Sequence, residues 1–170
     1  FNKTNTLFEP SKLASGRQSL FILTKEQELF STGDVNNIGL GGIIQDDQSF
    51  VDLNTFTVWR KVQCGGKFFS KGDFTVALDL SGRMWTWGDD TYGQCAVNEL
   101  PTDGVNYRST PGRIIGNDVH DKAWSDISCG EQHAVAIDVD GTLYMWGKNT
   151  EGVLLNLPGV TRRCTRFFNS

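Results

Sequence analysis

The chain has 170 residues, 38% of them hydrophobic and 21% charged, with a formal net charge of −4 and a pI near 5.1. Such a composition describes a turn-rich folded unit, either one domain or a piece of a larger one, and not a disordered tract. The acidic balance argues against general nucleic-acid binding, which rests on neutralising phosphates. No apolar run approaches the ~18 residues that a membrane span needs.

Residues 1–19 are polar and carry no signal-peptide pattern. They read as an N-terminal arm or the end of a preceding segment. The expected setting is intracellular (cytoplasmic or nuclear) or within a virus particle. "NKT" at Asn2 fits a glycosylation sequon and is read as chance. Residues 20–58 form a degenerate first repeat. Its stretch "FILTKEQELFSTGD" (21–34) aligns with "VALDLSGRMWTWGD" (76–89) at an offset of 55, with Phe30 in the place of Trp85 and Gly33 in that of Gly88. Glu26-Gln27 replaces the turn glycine found later. "GLGGII" (39–44) lacks the Lys-Ser/Thr of a phosphate loop and reads as a plain loop. Asp46-Asp47 and Asp89-Asp90 read as solvated loop charge, because adjacent strand side chains point oppositely and make a poor catalytic pair.

Residues 59–123 form the second repeat and 124–170 the third, whether complete or truncated. Trp87-Gly88 aligns with Trp146-Gly147 at an offset of 59, which also pairs Gly82 with Gly141, Trp85 with Tyr144 and Gly93 with Gly152. Upstream, Trp59 aligns with Trp124, and Cys64-Gly65 with Cys129-Gly130, at an offset of 65. The extra residues sit in "GKFFSKGD", where the later copy has only "EQ". An insertion confined to one loop is how a true repeat diverges.

Each unit reads as four short strands. "HAVAID" and "TLYMWG" alternate around the Gly141 turn, "WSDISCG" supplies another strand, and a fourth is expected near "PGRII" and "LPGVT", with proline at an edge. No stretch has helical periodicity. The expectation is an all-β fold, a partial β-propeller built from about three four-stranded blades, in which the indoles fill the gaps between sheets.

"AWSDISCGEQHAVAIDVDGTLYMWGKNTEG" resembles the regulator of chromosome condensation repeat: a strand ending in Cys-Gly, then His133 and Ala134, an Asp-Gly turn, and a strand carrying Trp-Gly. The second repeat resembles it too but has Phe74 where His133 stands. Members of that family form seven-bladed propellers, so the resemblance implies open blade faces, covered by further chain, by other proteins or by copies of the same chain completing the ring. It also implies a structural His133 bonding to nearby backbone, not a general base.

The remaining chemistry is sparse. "DVDG" (138–141) reads as a hairpin turn and not a calcium loop, since strands flank it. The four cysteines lack a C-x-x-C pair and read as reduced, small core residues, with no metal or cofactor expected. Trp85 and Trp87 read as blade packing and not as a light-sensing array. Arg162, Arg163 and Arg166 read as the solvated face of a further strand. The function expected is therefore a non-enzymatic protein-interaction or assembly module, with loops 65–73 and 96–112 as contact surfaces. A structural component of a large assembly such as a virus particle, and a guanine-nucleotide exchange factor for a small GTPase, stand as alternatives.

Overall fold

A computed structural model of the chain describes residues 9–34, 51–52, 57–66, 72–97, 106–114, 119–149, 152, 154 and 160–167. Asn2, "GLGGII", Asp46-Asp47 and residues 67–71 and 98–105 of the two expected contact loops lie outside these residues. All twelve elements among them are strands. The first sheet comprises β1 (Pro10–Ser15), β2 (Ser19–Thr24), β3 (Leu29–Gly33) and β4 (Val51–Asp52). The second comprises β5 (Trp59–Gly66), β6 (Asp73–Asp79), β7 (Met84–Asp89) and β8 (Tyr107–Arg113). The third comprises β9 (Trp124–Cys129), β10 (His133–Asp138), β11 (Leu143–Lys148) and β12 (Val160–Arg166). Each is an antiparallel meander in sequence order. The fold is all-β: three four-stranded blades of a partial propeller.

The first blade starts earlier than its sequence suggests. Pro10–Ser15, expected within an arm, pairs with β2 with Leu13 opposite Ile22. Its polar pattern hid it: every residue of β1 except Ala14 is exposed.

Two slots recur in all three blades and explain the glycines. The hairpin between the second and third strands is closed by Thr24, Asp79 or Asp138. The backbone amide of each donates to the carbonyl of Glu28, Arg83 or Thr142, at 3.0 Å in every case. Its side-chain oxygen accepts from the backbone amide of the same residue, at 3.2, 2.9 and 2.8 Å. Such three-residue loops end in a left-handed residue. Gly82 (φ 76°) and Gly141 (φ 82°) supply it, and Gln27 (φ 67°) adopts the same conformation without being glycine. The first repeat, in which Glu26-Gln27 replaces the turn glycine, therefore keeps the turn at the cost of a strained backbone.

The second slot is the glycine of Trp-Gly and its equivalent. Gly33, Gly88 and Gly147 have φ of 129°, 97° and 102°. A Cβ on them would meet the carbonyl oxygens of Gln18, Asp73 and Gln132 at 2.0, 2.3 and 2.6 Å. Those three residues occupy matching places at the head of each second strand, so this close backbone approach is part of every blade.

These slots differ in what they tolerate. A Cβ on Gly141 would meet nothing within 4 Å, so Gly141→Ala should cost about 1 kcal/mol, from backbone strain alone. Gly147→Ala combines strain with a backbone clash and should cost roughly 3–5 kcal/mol. Urea denaturation of the two variants checks the order.

Candidate functional site

The residues singled out by the repeats converge on the two seams between blades. Phe21, Leu23 and Leu29 of the first blade face Trp59, Val62, Ala77 and Trp87 of the second. Val76, Leu78 and Met84 of the second blade stand in the matching positions and face Trp124, Ile127, Ala136, Tyr144 and Trp146 of the third. Trp59, Trp87, Trp124 and Trp146 are each at most 1% exposed. The rings meet edge to face: Trp59 lies 6.0 Å from Trp87 and 5.9 Å from Trp85, and Trp124 lies 5.0 Å from Tyr144. Small partners make room for the indoles across the ladder, with Thr75 opposite Trp87 and Ala134 opposite Trp146. Offset edge contacts of this kind suit the aromatic quadrupole.

The seams are also closed by polar contacts. At the turn end, the Trp59 amide donates to the Gln27 carbonyl (3.1 Å) and the Trp124 amide to the Gly82 carbonyl (2.8 Å), so each turn slot receives the next blade. A bulge follows, one residue along the first strand of each blade. In the first and third blades it is Ser11 or Ser125, whose hydroxyl donates to two carbonyls of its own blade. In the second it is Arg60, which crosses the seam and donates to the carbonyls of Trp124 (2.7 Å) and Ser125 (3.2 Å). Lys12 in turn donates to the Arg60 carbonyl (2.9 Å), and Lys61 pairs with Asp126.

At the opposite end, the buried Asp73 carboxylate accepts from the Gln18 amide (2.6 Å) and the Ser19 hydroxyl (2.8 Å) of the first blade. Lys148 lies 4.6 Å from the Tyr92 ring centroid and donates to Gln132. The Trp146 indole N–H donates to the Gln94 carbonyl (2.7 Å) across the second seam.

Asp89 and Asp90 are not solvated, as expected from the sequence, but 1% exposed. Asp89 accepts from the amide and hydroxyl of Thr91 and from Gln94. Asp90 accepts from the Cys95 amide (2.8 Å), just as Asn149 accepts from the Leu154 amide (2.6 Å). They fold the loop after the Trp-Gly strand back onto the core, with Gly93 and Gly152 at matching left-handed positions (φ 80° and 71°). The recurrence of Asp90 as Asn149 at the repeat offset was the signal for this role.

His133 also departs from expectation. Its imidazole packs over Gly130, where a Cβ would lie 2.3 Å from the ring, and forms no hydrogen bond to backbone among the described residues. Burial lowers its pKa, with Glu131 opposing. Phe74 covers Gly65 in the same way, so the slot calls for a flat ring and not for a base. The four thiols are free. Burial pushes Cys64 up to about 12, with a contact to the Thr75 hydroxyl opposing, and raises Cys95 and Cys129 as well. Trp85 donates to Asp79 (3.0 Å) and has Arg113 6.0 Å from its ring. Arg166 is exposed, while the side chains of Arg162 and Arg163 fall outside the described residues. The arrangement holds backbones and seams together.

Two outcomes follow. Trp146→Ala should cost about 3–5 kcal/mol. Trp146→Phe should cost more than Trp87→Phe by about 1–3 kcal/mol, because the Trp87 N–H is buried without a partner and only Trp146 loses a hydrogen bond. Calorimetric melting checks both. Acid titration probes Asp138: burial would raise its pKa, but Lys122 at 2.9 Å and the amides of Thr142 and Asp140 hold it below the ordinary 3.8. Its stabilisation is complete above 3.8 and is lost as pH falls through the lower folded value. Urea midpoints should fall in that acid range for the native chain, and the fall should be smaller in Asp138→Asn.

The repeated sequence is matched in known proteins. The regulator of chromosome condensation (RCC1) repeat profile matches residues 59–94 and 124–153, and a second profile of that repeat matches residues 81–137. E3 ubiquitin-protein ligase HERC2 of Mus musculus is 28% identical over 160 residues, covering 91% of this chain and 3% of its own length. Probable E3 ubiquitin-protein ligase HERC6 of Homo sapiens is 31% identical over 146 residues (83% of this chain, 13% of its own). Protein RCC1 of Candida albicans is 36% identical over 87 residues (48% and 18%). The chain thus spans a small part of each relative. Among solved structures, Prp20p of Saccharomyces cerevisiae superposes with a TM-score of 0.75 at 20% identity, covering 95% of this chain and 39% of that one. Human WBSCR16 gives 0.76 at 16% identity (95% and 40%). The profile matches run across both Trp-Gly blades and the seam between them, and the chain belongs to the regulator of chromosome condensation repeat family.

Proposed function

We propose that the chain is a non-enzymatic protein-interaction module whose loop-bearing face receives a basic protein surface. The observation that carries this reading is the unequal length of the segments leaving the two ends of the blades. At one end the hairpin turns are three residues long (25–27, 80–82 and 139–141), and the links between blades are 53–58 and 114–123. From the other end leave segments 34–50, 67–72, 90–106 and 149–159. Long loops set on a rigid scaffold are where binding residues concentrate. Segments 67–72 and 90–106 overlap the expected contact loops, 65–73 and 96–112.

The charge of these segments gives the partner's chemistry. With the short links at 16–18 and 130–132, and leaving aside the buried Asp90, they carry Asp34, Asp46, Asp47, Glu99, Asp103, Glu131 and Glu151 against Arg17, Lys67 and Lys71. An acidic face steers basic partners and raises their rate of encounter. The binding properties of Prp20p to Gsp1p and histones are in keeping with protein partners, and histones are basic. Guanine-nucleotide exchange on a small GTPase is the second reading, favoured by the match to Protein RCC1, and a nucleotide-release assay separates it from simple binding.

Affinity for core histones, measured by fluorescence anisotropy across a salt series, tests the proposal. Binding should weaken as salt rises. The double reversal Glu99→Lys with Asp103→Lys should lower affinity about tenfold at low salt without changing the melting temperature. Salt-independent binding, or unchanged affinity in the double variant, places the contact elsewhere.

A further inference from the structure

We propose that Thr110 is a phosphorylation site for a proline-directed protein kinase. Thr110 lies in β8, the last strand in the order of the second sheet. In the ladder Thr86 stands opposite Gly112 and Gly88 opposite Arg108, so Ser109, Thr110 and Pro111 together face the single residue Trp87. Two surplus residues bow the strand off its partner there. The third blade repeats the device, with Met145 opposite Thr165 and Gly147 opposite Thr161, leaving 162–164 opposite Trp146. Its inward member is Cys164, 8% exposed and part of the core. Pro111 holds the corresponding place in β8, and Thr110 before it is exposed.

Three properties of this bow suit a kinase. The backbone is already extended, the form in which a peptide is gripped along an enzyme cleft. Pro111 has no N–H to give to the ladder, so its presence on an outer strand costs no sheet hydrogen bond. The Thr110 hydroxyl makes no hydrogen bond among the described residues, and no core contact has to break for it to react. The motif is also unique. The other prolines, Pro10, Pro101 and Pro158, follow Glu9, Leu100 and Leu157, and only Pro111 follows a hydroxyl residue.

The transfer is ordinary phosphoryl chemistry. Thr110 Oγ1 attacks the γ-phosphorus of ATP, the bond to the bridging oxygen of the β-phosphate breaks, ADP leaves, and the hydroxyl proton passes to a carboxylate of the kinase. The product adds nearly two negative charges at neutral pH to a strand whose charged members are Arg108 and Arg113. Arg108 is held by bonds to Thr86 (3.1 Å) and the Arg113 carbonyl (3.1 Å). The outer rim of the second blade would change from basic to neutral or acidic, on a surface apart from the loop-bearing face.

The test incubates the folded 170-residue chain with a purified proline-directed kinase and magnesium-ATP. Intact mass and fragment-ion mapping are read beside a heat-unfolded control. One phosphate is expected, on Thr110 of the folded chain. Thr110→Ala should abolish it, Thr110→Ser should restore it, and Pro111→Ala, shown folded by circular dichroism, should slow it about tenfold or more. Phosphate on Ser109 or elsewhere, an undiminished rate in Pro111→Ala, or labelling of the unfolded chain alone overturns the assignment.

Discussion

The whole arc depends on wedging a flat indole between two twisted sheets while letting two backbones nearly touch beside it. Trp87 and Trp146 are the wedges, and Gly88 and Gly147 are the points of close approach. The two requirements belong together. A twisted ribbon facing another twisted ribbon leaves a gap that widens away from the line of contact. A large side chain fills the wide part, while within each blade a residue without Cβ is needed where the third strand crowds the head of the second. The first blade keeps the second requirement in Gly33 and relaxes the first, with Thr32 in the place of the indole.

That constraint governs where polar chemistry can lie. Asp73, Asp79, Asp89, Asp90 and Asp138 are all buried, yet each accepts hydrogen bonds that close a turn, a loop or a seam. A buried carboxylate without such donors would be costly to desolvate. The histidine slot obeys the same logic, since a ring over Gly130 packs a strand end whether it is imidazole or, as over Gly65, phenyl. Acids that in an enzyme would be poised for proton transfer are here committed to architecture. The groups left to meet a partner are those on the loops and rims.

The open sheets at either end of the arc show the same positional code. Leu13 is 66% exposed although its counterparts Val62 and Ile127 are at most 3% exposed, and Ile137 is 40% exposed although Leu78 is fully buried. The difference lies in neighbours and not in residue type. A leucine or isoleucine held ready in a seam position is apolar because the repeat needs it so, whichever surface it meets.

The sequence alone determined most of the strands, the repeat and the wedge, because period-two alternation, paired Trp-Gly and a single-loop insertion are local or additive signals. It missed β1, whose residues are mostly polar, since a strand buried on so little of its surface carries no alternation to read. It misjudged Asp89 and Asp90, because burial of a loop carboxylate depends on which amides fold back to meet it, and Cys95 and Thr91 do so only once the loop closes. It showed Glu26-Gln27 in place of the turn glycine but not the conformation they take, because a non-glycine residue in a left-handed conformation leaves no trace in the letters. Only the tertiary structure decided that Arg60 bridges the seam that its serine counterparts leave alone. Which carbonyl a guanidinium reaches is fixed by how two sheets sit side by side, a relation that no single stretch of chain contains.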